Sequence, residues 1–304
     1  MSDRQPMTRT RTGAVAASRV LSRIRRWFPV SPATPLVSIV IPVYNKQVHL
    51  EACLRSVLGQ GGVNLEVLCV DDCSTDGSRG ILDEVARTDS RVTVVENRLN
   101  CGAGLSRNRG IDLARGTFVQ FTDADDLLPA GALRALQRAA AATGAEVVSG
   151  VLQGPCDPRW SGTVGGTAVG SLLTFPHLWI PWFHQRLLIA RELLVGRGIR
   201  YARLFPGEDP VFMAEVLTAA TRICVIPDVT YIYRRPDHRP RRDFGNLSDY
   251  VTHAEMVRRV YGDAYQECWQ SYKGFITESI VEGIGRAALT TEETRRLQDR
   301  VDRL

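Results

Sequence analysis

The fold of this chain is decided by one stretch, Thr117-Phe118-Val119-Gln120-Phe121-Thr122-Asp123-Ala124-Asp125-Asp126. Its first five residues alternate large and small side chains and are rich in aromatic and β-branched types, which predicts a buried strand. Three carboxylates follow within four residues, and like charges this close repel one another unless a cation or hydrogen-bond donors neutralise them. A divalent metal is one candidate. The alternative is a solvated acidic loop that caps the next helix, and this stretch alone leaves both interpretations open.

Strand and helix patterns alternate on both sides of this stretch. Apolar runs predict strands at 36–43, 65–70, 92–95, 117–121 and 146–149, and the segments between them predict helices at 49–58, 77–88, 104–114 and 129–142. Short links in such an alternation require right-handed crossovers between parallel strands. The sequence therefore predicts an α/β fold with a mostly parallel sheet and helices on both faces.

Polar clusters follow three of the predicted strands. They are Pro42-Val43-Tyr44-Asn45, Asp71-Asp72-Cys73-Ser74-Thr75-Asp76 and Asp123-Ala124-Asp125-Asp126. In a parallel α/β sheet, ligands bind beyond the carboxyl ends of the strands. We therefore expect all three clusters at one edge of the sheet, which favours a binding site over a solvated loop.

Such an edge suits a ligand with hydroxyl or imide donors at one end and a metal-bound diphosphate at the other. Asp72 can accept hydrogen bonds from ribose hydroxyls or a base imide. Asp125, with Asp123 or Asp126, can hold Mg²⁺ or Mn²⁺, which would neutralise charge on a leaving diphosphate. The Arg107 side chain can bind a phosphate group or a nucleotide base. The sequence contains neither a Rossmann glycine fingerprint after the first strand nor a P-loop.

Four motifs, in this order, resemble the signatures of glycosyltransferase family 2. They are Val37-Ser38-Ile39-Val40-Ile41-Pro42-Val43-Tyr44-Asn45, Val70-Asp71-Asp72-Cys73-Ser74-Thr75-Asp76-Gly77, Asn100-Cys101-Gly102 leading to Arg107-Asn108-Arg109-Gly110, and Asp123-Ala124-Asp125-Asp126. The resemblance covers residues 36–150 and departs at Cys73, where glycine is commoner. It implies the Rossmann-like GT-A fold and an enzyme of polysaccharide or cell-envelope biosynthesis. Such an enzyme transfers a hexosyl or N-acetylhexosaminyl group from a nucleoside diphosphate sugar, by default a UDP-sugar, with inversion at the anomeric carbon.

The same resemblance implies roles for individual residues. It assigns donor binding to Pro42, Tyr44, Asp72, Arg107, Asp123 and Ala124, and binding of Mn²⁺ or Mg²⁺ to Asp125, Asp123 and Asp126. Gly207-Glu208-Asp209 resembles the acidic pair that family members carry after the metal motif, and this implies that Asp209 is the general base. Inverting displacement requires such a base within reach of the nucleophile. The alternative is that Glu208 and Asp209 stabilise the start of a helix.

Beyond residue 150 the regular alternation fades. The sequence predicts a loop or an irregular hairpin at 154–170, a helix at 187–195, strands at 223–227 and 229–233, and amphipathic helices from 247 to 304. The aromatic residues at 179–184 are expected to pack internally more than to stack on a sugar, and His184 is expected to form structural hydrogen bonds. The family resemblance implies that Arg234, Arg235 and His238 close over the donor phosphates, and the alternative is that they form solvated surface.

The positive charge of the chain is concentrated at its beginning. Residues 1–34 contain seven arginines and one acid, a net charge of +6, whereas the whole chain carries +5. We expect this basic segment to be partly disordered. Residues 15–28 predict an amphipathic helix that contacts a membrane surface or packs on the catalytic domain, with a solvated tail as the alternative. We predict a nucleotide-sugar-binding half at 35–150, an acceptor-binding half at 151–240 and a helical C-terminal extension at 241–304.

Location and partners follow from composition. Seven cysteines without a disulfide framework, no secretory leader and no apolar run of about 20 residues predict a cytoplasmic protein, free or peripheral to the inner face of the cell membrane. The basic segment lacks the interleaved aromatic residues that would indicate nucleic-acid binding, so we predict none. The family resemblance implies an acceptor, which could be a saccharide, a lipid-linked carrier or a small molecule.

Two other functions are compatible with parts of the sequence. One is a sugar-nucleotide-binding protein that has lost turnover, which a large separation of Asp209 from the acidic motif would favour. The other is an aspartate-dependent phosphotransferase, in which the nucleophile follows the first strand. Because the acids here follow the fourth strand, the sequence favours glycosyl transfer over phosphotransfer.

Overall fold

The computed structural model describes residues 36–155, 164–204, 208–234 and 243–304. Its strands are β1 (Leu36–Val43), β2 (Asn64–Asp71), β3 (Val92–Glu96), β4 (Phe118–Phe121), β5 (Val147–Gln153), β6 (Ala168–Gly170), β7 (Leu187–Ala190) and β8 (Ile223–Ile232). Its helices are α1 (Leu50–Leu58), α2 (Ser78–Thr88), α3 (Ala103–Leu113), α4 (Ala132–Thr143), α5 (Arg191–Gly196), α6 (Glu208–Ala219), α7 (Phe244–Tyr261), α8 (Gln266–Arg286) and α9 (Thr291–Val301). Strands and helices alternate as far as β5, as the sequence predicts.

The strands form one mixed sheet in the order β3-β2-β1-β4-β7-β5-β8-β6. Parallel pairing joins β3, β2, β1 and β4. Strand β7 runs antiparallel between β4 and β5, and β8 lies parallel to β5. The predicted α/β class is confirmed. Because β2, β1 and β4 are parallel neighbours, their carboxyl ends meet at one edge of the sheet.

Two predictions for the second half were wrong. The segment predicted as a helix at 187–195 is strand β7 followed by the short helix α5. A short apolar run does not by itself distinguish a buried strand from a buried helix. Here the segment is a strand because it pairs with both β4 and β5. The two strands predicted at 223–227 and 229–233 are the single strand β8, whose pairing with β5 is irregular around Val151. Pro227, which lacks an amide donor, is exposed in the middle of this strand.

The sheet separates two apolar clusters. On one face, Ile39 and Ile41 of β1 pack with Leu54 and its neighbours from α1. On the other face, Val40 of β1 belongs to a cluster that includes α3 and continues into α7 and α8. Successive side chains of a strand point to opposite faces, so β1 contributes to both clusters. The C-terminal helices therefore share a core with the sheet.

Some predicted features lie outside the described residues. These are the basic segment 1–34 with its predicted helix at 15–28, residues 156–163 of the segment predicted as a loop or irregular hairpin, and Arg235 and His238. Within the described ranges, no helix combines the length and the apolar character needed to cross a bilayer.

Candidate active site

Strained backbone marks the edge where β1, β2 and β4 end. Among the described residues, three that are not glycine have a left-handed backbone: Asn45 (φ 51°), Cys73 (φ 62°) and Phe183 (φ 60°). Asn45 follows β1, Cys73 follows β2, and Phe183 stands shortly before β7, which is antiparallel to β4. All three therefore lie at the same edge. Such conformations cost of order 1–3 kcal/mol each and are concentrated at functional sites.

Two of the three carboxylates after β4 remain at this edge, and each faces a cation. Asp123 Oδ1 accepts a hydrogen bond from Arg107 Nη2 at 2.7 Å, and its Oδ2 accepts one from Gln185 Nε2 at 2.8 Å. Asp125 forms an ion pair with Lys46, and both side chains are partly exposed. The edge therefore holds negative charge that the protein neutralises with its own cations.

The third carboxylate, Asp126, points into the interior. It is 1% exposed and accepts hydrogen bonds from the Tyr231 hydroxyl at 2.8 Å and from the Arg234 backbone amide at 2.7 Å. Burial and the charge of Asp123 raise the pKa of Asp126 to about 8. A carboxyl group that is buried and engaged at both oxygens is a poor ligand for a hard cation. This geometry argues against the predicted metal role of Asp126.

Arg107 of α3 lies at the centre of the site. Its side chain is 4% exposed and donates hydrogen bonds to Asp123 and, from Nη1, to Asp209 Oδ1 at 3.0 Å. Although burial lowers the pKa of Arg107, the charges of Asp209 and Asp123 raise it well above its usual range. The Arg107 guanidinium also lies over the Tyr201 ring, 5.2 Å from its centroid. Arg107 thus connects the acidic motif after β4 to the acidic pair at the start of α6.

The acidic pair occupies two different environments. Asp209 contacts Arg107 on one oxygen, and its Oδ2 lies 3.4 Å from His184 Nδ1. Burial opposes ionisation of Asp209, but its neighbours His184 and Arg107 outweigh burial and hold the pKa of Asp209 well below the usual range. Burial and the Asp209 charge raise the pKa of Glu208 to about 7, although Arg107 lies 3.6 Å away. Asp209 is therefore the ionised member of the pair.

Asp72 fixes the loop that leads into α3. It is 3% exposed, and its oxygens accept hydrogen bonds from the amides of Cys101 at 3.0 Å and Gly102 at 2.8 Å and from Asn97 Nδ2 at 2.8 Å. Burial opposes the charge of Asp72, but these hydrogen bonds outweigh it and keep its pKa below the usual value. The carboxylate thus shapes the wall of the site at the end of β2.

The other predicted donor residues lie at the same edge with different exposures. Pro42 is buried in β1 and is paired with Val70 of β2. Tyr44 follows β1 and is 45% exposed, so its ring is available to a ligand. Ala124 is 1% exposed and packs into the apolar cluster beneath the acidic loop. Of these three side chains, Tyr44 is the one that solvent reaches.

The predicted set of three metal-binding carboxylates is not formed. Within the described ranges, no three His, Cys, Asp or Glu side chains are grouped so that they could hold a metal ion by themselves. Asp123 and Asp125 remain at the edge as two carboxylates. Magnesium is commonly held by one or two carboxylates together with substrate phosphates, so these two side chains fit a cation that binds with a diphosphate.

Sequence reasoning missed three side chains that contact the acids. Lys46 directly follows the first polar cluster, so its distance from a strand end could have indicated it. His184 and Gln185 are buried and approach Asp209 and Asp123, respectively. They gave no usable signal because their place at the edge depends on β7, which was predicted as a helix.

Comparisons with known proteins point to one family. The sequence model of glycosyl transferase family 2 matches residues 38–192. The chain is 28% identical over 216 residues to the uncharacterized glycosyltransferase EpsJ of Bacillus subtilis, covering 66% of this chain and 61% of EpsJ. It is 44% identical over 92 residues to the putative teichuronic acid biosynthesis glycosyltransferase TuaG of Bacillus subtilis, covering 30% and 36%, respectively. The chain thus spans less than two thirds of the length of these relatives.

Solved structures share the fold at low sequence identity. S. aureus TarS 1–349 in complex with UDP-GlcNAc superposes with a TM-score of 0.71 at 19% identity, covering 87% of this chain and 79% of TarS. The mannosyltransferase PcManGT from Pyrobaculum calidifontis, in complex with GDP-Man and Mn²⁺, gives a TM-score of 0.58 at 21% identity and covers 94% and 87%. These similarities confirm the predicted GT-A architecture.

Proposed function

The chain belongs to glycosyl transferase family 2, and from this premise we propose that it is an inverting, metal-dependent glycosyltransferase with Asp209 as general base. One observation carries the proposal. Arg107 donates hydrogen bonds to both Asp123 and Asp209, which brings the acidic motif and the candidate base into one site. A binding protein without turnover would have no need for an ionised carboxylate held beside the acidic motif.

The proposed donor is a nucleoside diphosphate sugar, with UDP as the default nucleotide. The exposed Tyr44 ring can stack on a base, and the loop held by Asp72 forms the neighbouring wall. TarS is described with UDP-GlcNAc and PcManGT with GDP-Man, which supports the donor class and leaves the base open. Several relatives carry names from polymer biosynthesis, including succinoglycan and teichuronic acid. We therefore favour a saccharide or lipid-linked acceptor in polysaccharide assembly over a small molecule.

Asp125 and Asp123 are the proposed residues for Mn²⁺ or Mg²⁺. Both fit because each already attracts a cationic side chain, Lys46 and Arg107, respectively. A bound divalent cation supplies neutralisation of the charge on the departing diphosphate. Asp126 is left out of this set because its oxygens are engaged with Tyr231 and Arg234.

Asp209 performs the proton transfer in this proposal. As the acceptor hydroxyl oxygen forms its bond to the anomeric carbon, the bond from that carbon to the diphosphate breaks, and the hydroxyl proton passes to Asp209. In the free protein Arg107 and His184 keep Asp209 ionised, which a base requires. If the donor diphosphate attracts Arg107, Asp209 loses one positive neighbour and its pKa rises. Donor binding would then increase the basicity of Asp209 when the acceptor needs it.

The test begins with a thermal-shift panel of UDP-, GDP- and dTDP-sugars with and without Mn²⁺, because a ligand that binds only the folded state raises Tm. With the donor so identified, Asp209→Asn should retain donor affinity and lose transfer by at least about a hundredfold, the range of general base catalysis. The control is Asp263→Asn, an exposed carboxylate in the turn between α7 and α8. Near-normal turnover in Asp209→Asn would remove the base assignment. Donor binding by the native protein without any transfer would favour the non-catalytic alternative.

A further inference from the structure

His184 is a buried histidine whose ring nitrogens form no hydrogen bond with the part of the chain that the structure describes. It is 0% exposed, and neither ring nitrogen has a hydrogen-bond partner among the described residues. Its ring is surrounded by edge-to-face contacts with Phe121, Tyr201 and Phe212 at centroid distances of 5.3–5.9 Å. Buried polar groups are normally paired, and an unpaired one costs about 1–3 kcal/mol. Phenylalanine would fill this aromatic environment without that cost.

The unpaired nitrogen faces the candidate base. His184 Nδ1 lies 3.4 Å from Asp209 Oδ2, close enough for an ion pair but without the geometry of a formed hydrogen bond. The other Asp209 oxygen is held by Arg107. His184 is thus the second polar neighbour of the base, on the oxygen that Arg107 leaves free.

The backbone before His184 is strained in a way that directs it inward. Phe183 has φ 60°, a left-handed backbone conformation that residues other than glycine rarely adopt. A 3₁₀ turn follows at His184–Arg186. Through this turn His184 approaches Asp209, and the next residue, Gln185, donates to Asp123 at 2.8 Å. Two consecutive side chains therefore support two carboxylates that come from different elements of the fold.

We propose that His184 is a positioning residue for Asp209, an inference that rests on the proposed function. In the reaction it donates the Nδ1 hydrogen to Asp209 Oδ2, and so holds the carboxylate in the orientation that receives the acceptor proton. Arg107 faces both Asp209 and Asp123, so a diphosphate beside Asp123 competes for it. His184 has no such competitor in the described part of the chain and remains with Asp209 throughout the reaction.

The fold offers a matched control for this inference. His253 of α7 is also 0% exposed, and both of its ring nitrogens also have no hydrogen-bond partner among the described residues. Its aromatic neighbours include Trp182, Tyr250 and Tyr272, and no ion pair joins it to Asp209. Replacing either histidine by phenylalanine makes the same chemical change in a buried aromatic environment. The two variants differ in whether the lost nitrogen faced the base.

The experiment compares His184→Phe, His184→Asn and His253→Phe in the full chain. Readouts are kcat, the acceptor KM, donor affinity by calorimetry and Tm. We expect His184→Phe to lower kcat by about 10- to 100-fold, the scale on which a misplaced catalytic group costs rate. Donor affinity should stay within about twofold, since positioning of the base affects the chemical step more than ground-state binding. His184→Asn should recover part of kcat because the Asn amide nitrogen can take the place of Nδ1, and His253→Phe should keep the native kcat.

Native kcat in His184→Phe would overturn the inference and leave Asp209 as base. Equal losses of kcat in His184→Phe and His253→Phe, or no recovery in His184→Asn, would assign His184 to packing and also overturn it. The Asp209→Asn variant separates the two hypotheses. If that variant keeps near-normal turnover, the base assignment itself is wrong, whatever the histidine variants do.

Discussion

Arg107 Nη1 lies 3.0 Å from Asp209 Oδ1, although the two residues are 102 positions apart in the chain. Arg107 comes from α3 in the first half of the fold, and Asp209 stands in the first turn of α6 in the second half. The same guanidinium also holds Asp123. One buried cation therefore connects the acidic motif after β4 to the candidate base, and the geometry of the site depends on it.

Removing the Arg107 charge should destabilise the protein. Arg107→Met would leave Asp123 and Asp209 close together without their common cation, and loss of one partner from a buried ion pair costs about 3–5 kcal/mol. Because both carboxylates keep some solvent exposure, we expect the low end, about 3 kcal/mol, from urea unfolding. Adding Asp209→Asn should restore part of this loss.

The control for Arg107 is Arg55→Met. Arg55 pairs with Glu51 on the surface of α1, where both side chains are about half exposed. Exposed pairs contribute about 0–1 kcal/mol, so the free energy of unfolding should hardly change. Similar losses in the Arg107 and Arg55 variants would contradict a central role for the Arg107 network.

Lys46 should compete with a divalent cation for Asp125. The two side chains form an ion pair at the proposed metal site, so a metal that binds Asp125 has to displace the ammonium group. With UDP present, Lys46→Met should lower the apparent Kd for Mn²⁺ by about fivefold, corresponding to about 1 kcal/mol for a partly exposed pair. Electron paramagnetic resonance of free Mn²⁺ measures this directly. Lys273→Met, which removes the same charge from α8, should leave the Kd unchanged, and weaker Mn²⁺ binding in Lys46→Met would refute the competition.

Glu208 should make stability depend on pH in a definite direction. Its pKa is about 7 in the folded protein, because of burial and the Asp209 charge, against an ordinary value of 4.5. The folded state therefore holds the proton more tightly than the unfolded state. The contribution of Glu208 to stability is complete below pH 4.5 and is lost as the pH rises through 7.

Glu208→Gln should flatten this part of the pH profile. The difference in unfolding free energy between the native protein and the variant should change by on the order of 1–3 kcal/mol between pH 4.5 and pH 7.5. Urea unfolding at several pH values gives the two profiles. The exposed Glu278→Gln should follow the native profile. A Glu208→Gln profile parallel to the native one would show that Glu208 does not hold the extra proton.

Local patterns in the sequence predicted the alternating strands and helices of the first half of the fold but not the pairing of its side chains. The apolar runs that end in polar clusters correctly placed β1, β2 and β4 and the edge they share. Asp126 could not be predicted as buried, because its partners Tyr231 and Arg234 come from the end of β8, more than 100 residues away. His184 was expected to form ordinary hydrogen bonds, and its approach to Asp209 depends on the left-handed Phe183 and on the insertion of β7. Such contacts follow from tertiary packing, which local periodicity does not contain.

Gly110 allows α3 to pack closely against β1, and this contact sets the position of Arg107. A Cβ at Gly110 would lie 2.2 Å from Val40 Cγ1 and 2.9 Å from Val40 Cγ2, so the helix rests directly on β1. Arg107 precedes Gly110 by one helical turn and lies on nearly the same face, so any displacement of α3 at this contact also moves the guanidinium.

We expect Gly110→Ala to cost about 1–3 kcal/mol, the typical cost of overpacking a core, and to lower turnover because Arg107 leaves its two carboxylates. Val40→Ala in the same chain removes the clashing methyl groups and should restore both properties in part. The control is Gly80→Ala in α2, where a Cβ meets no atom within 4 Å and where alanine favours the helix by up to about 1 kcal/mol. Thermal unfolding and transfer assays on the four proteins distinguish a loss of close packing from a general effect of glycine replacement. If Gly110→Ala proved as stable and active as Gly80→Ala, the position of Arg107 would not depend on the contact between α3 and β1.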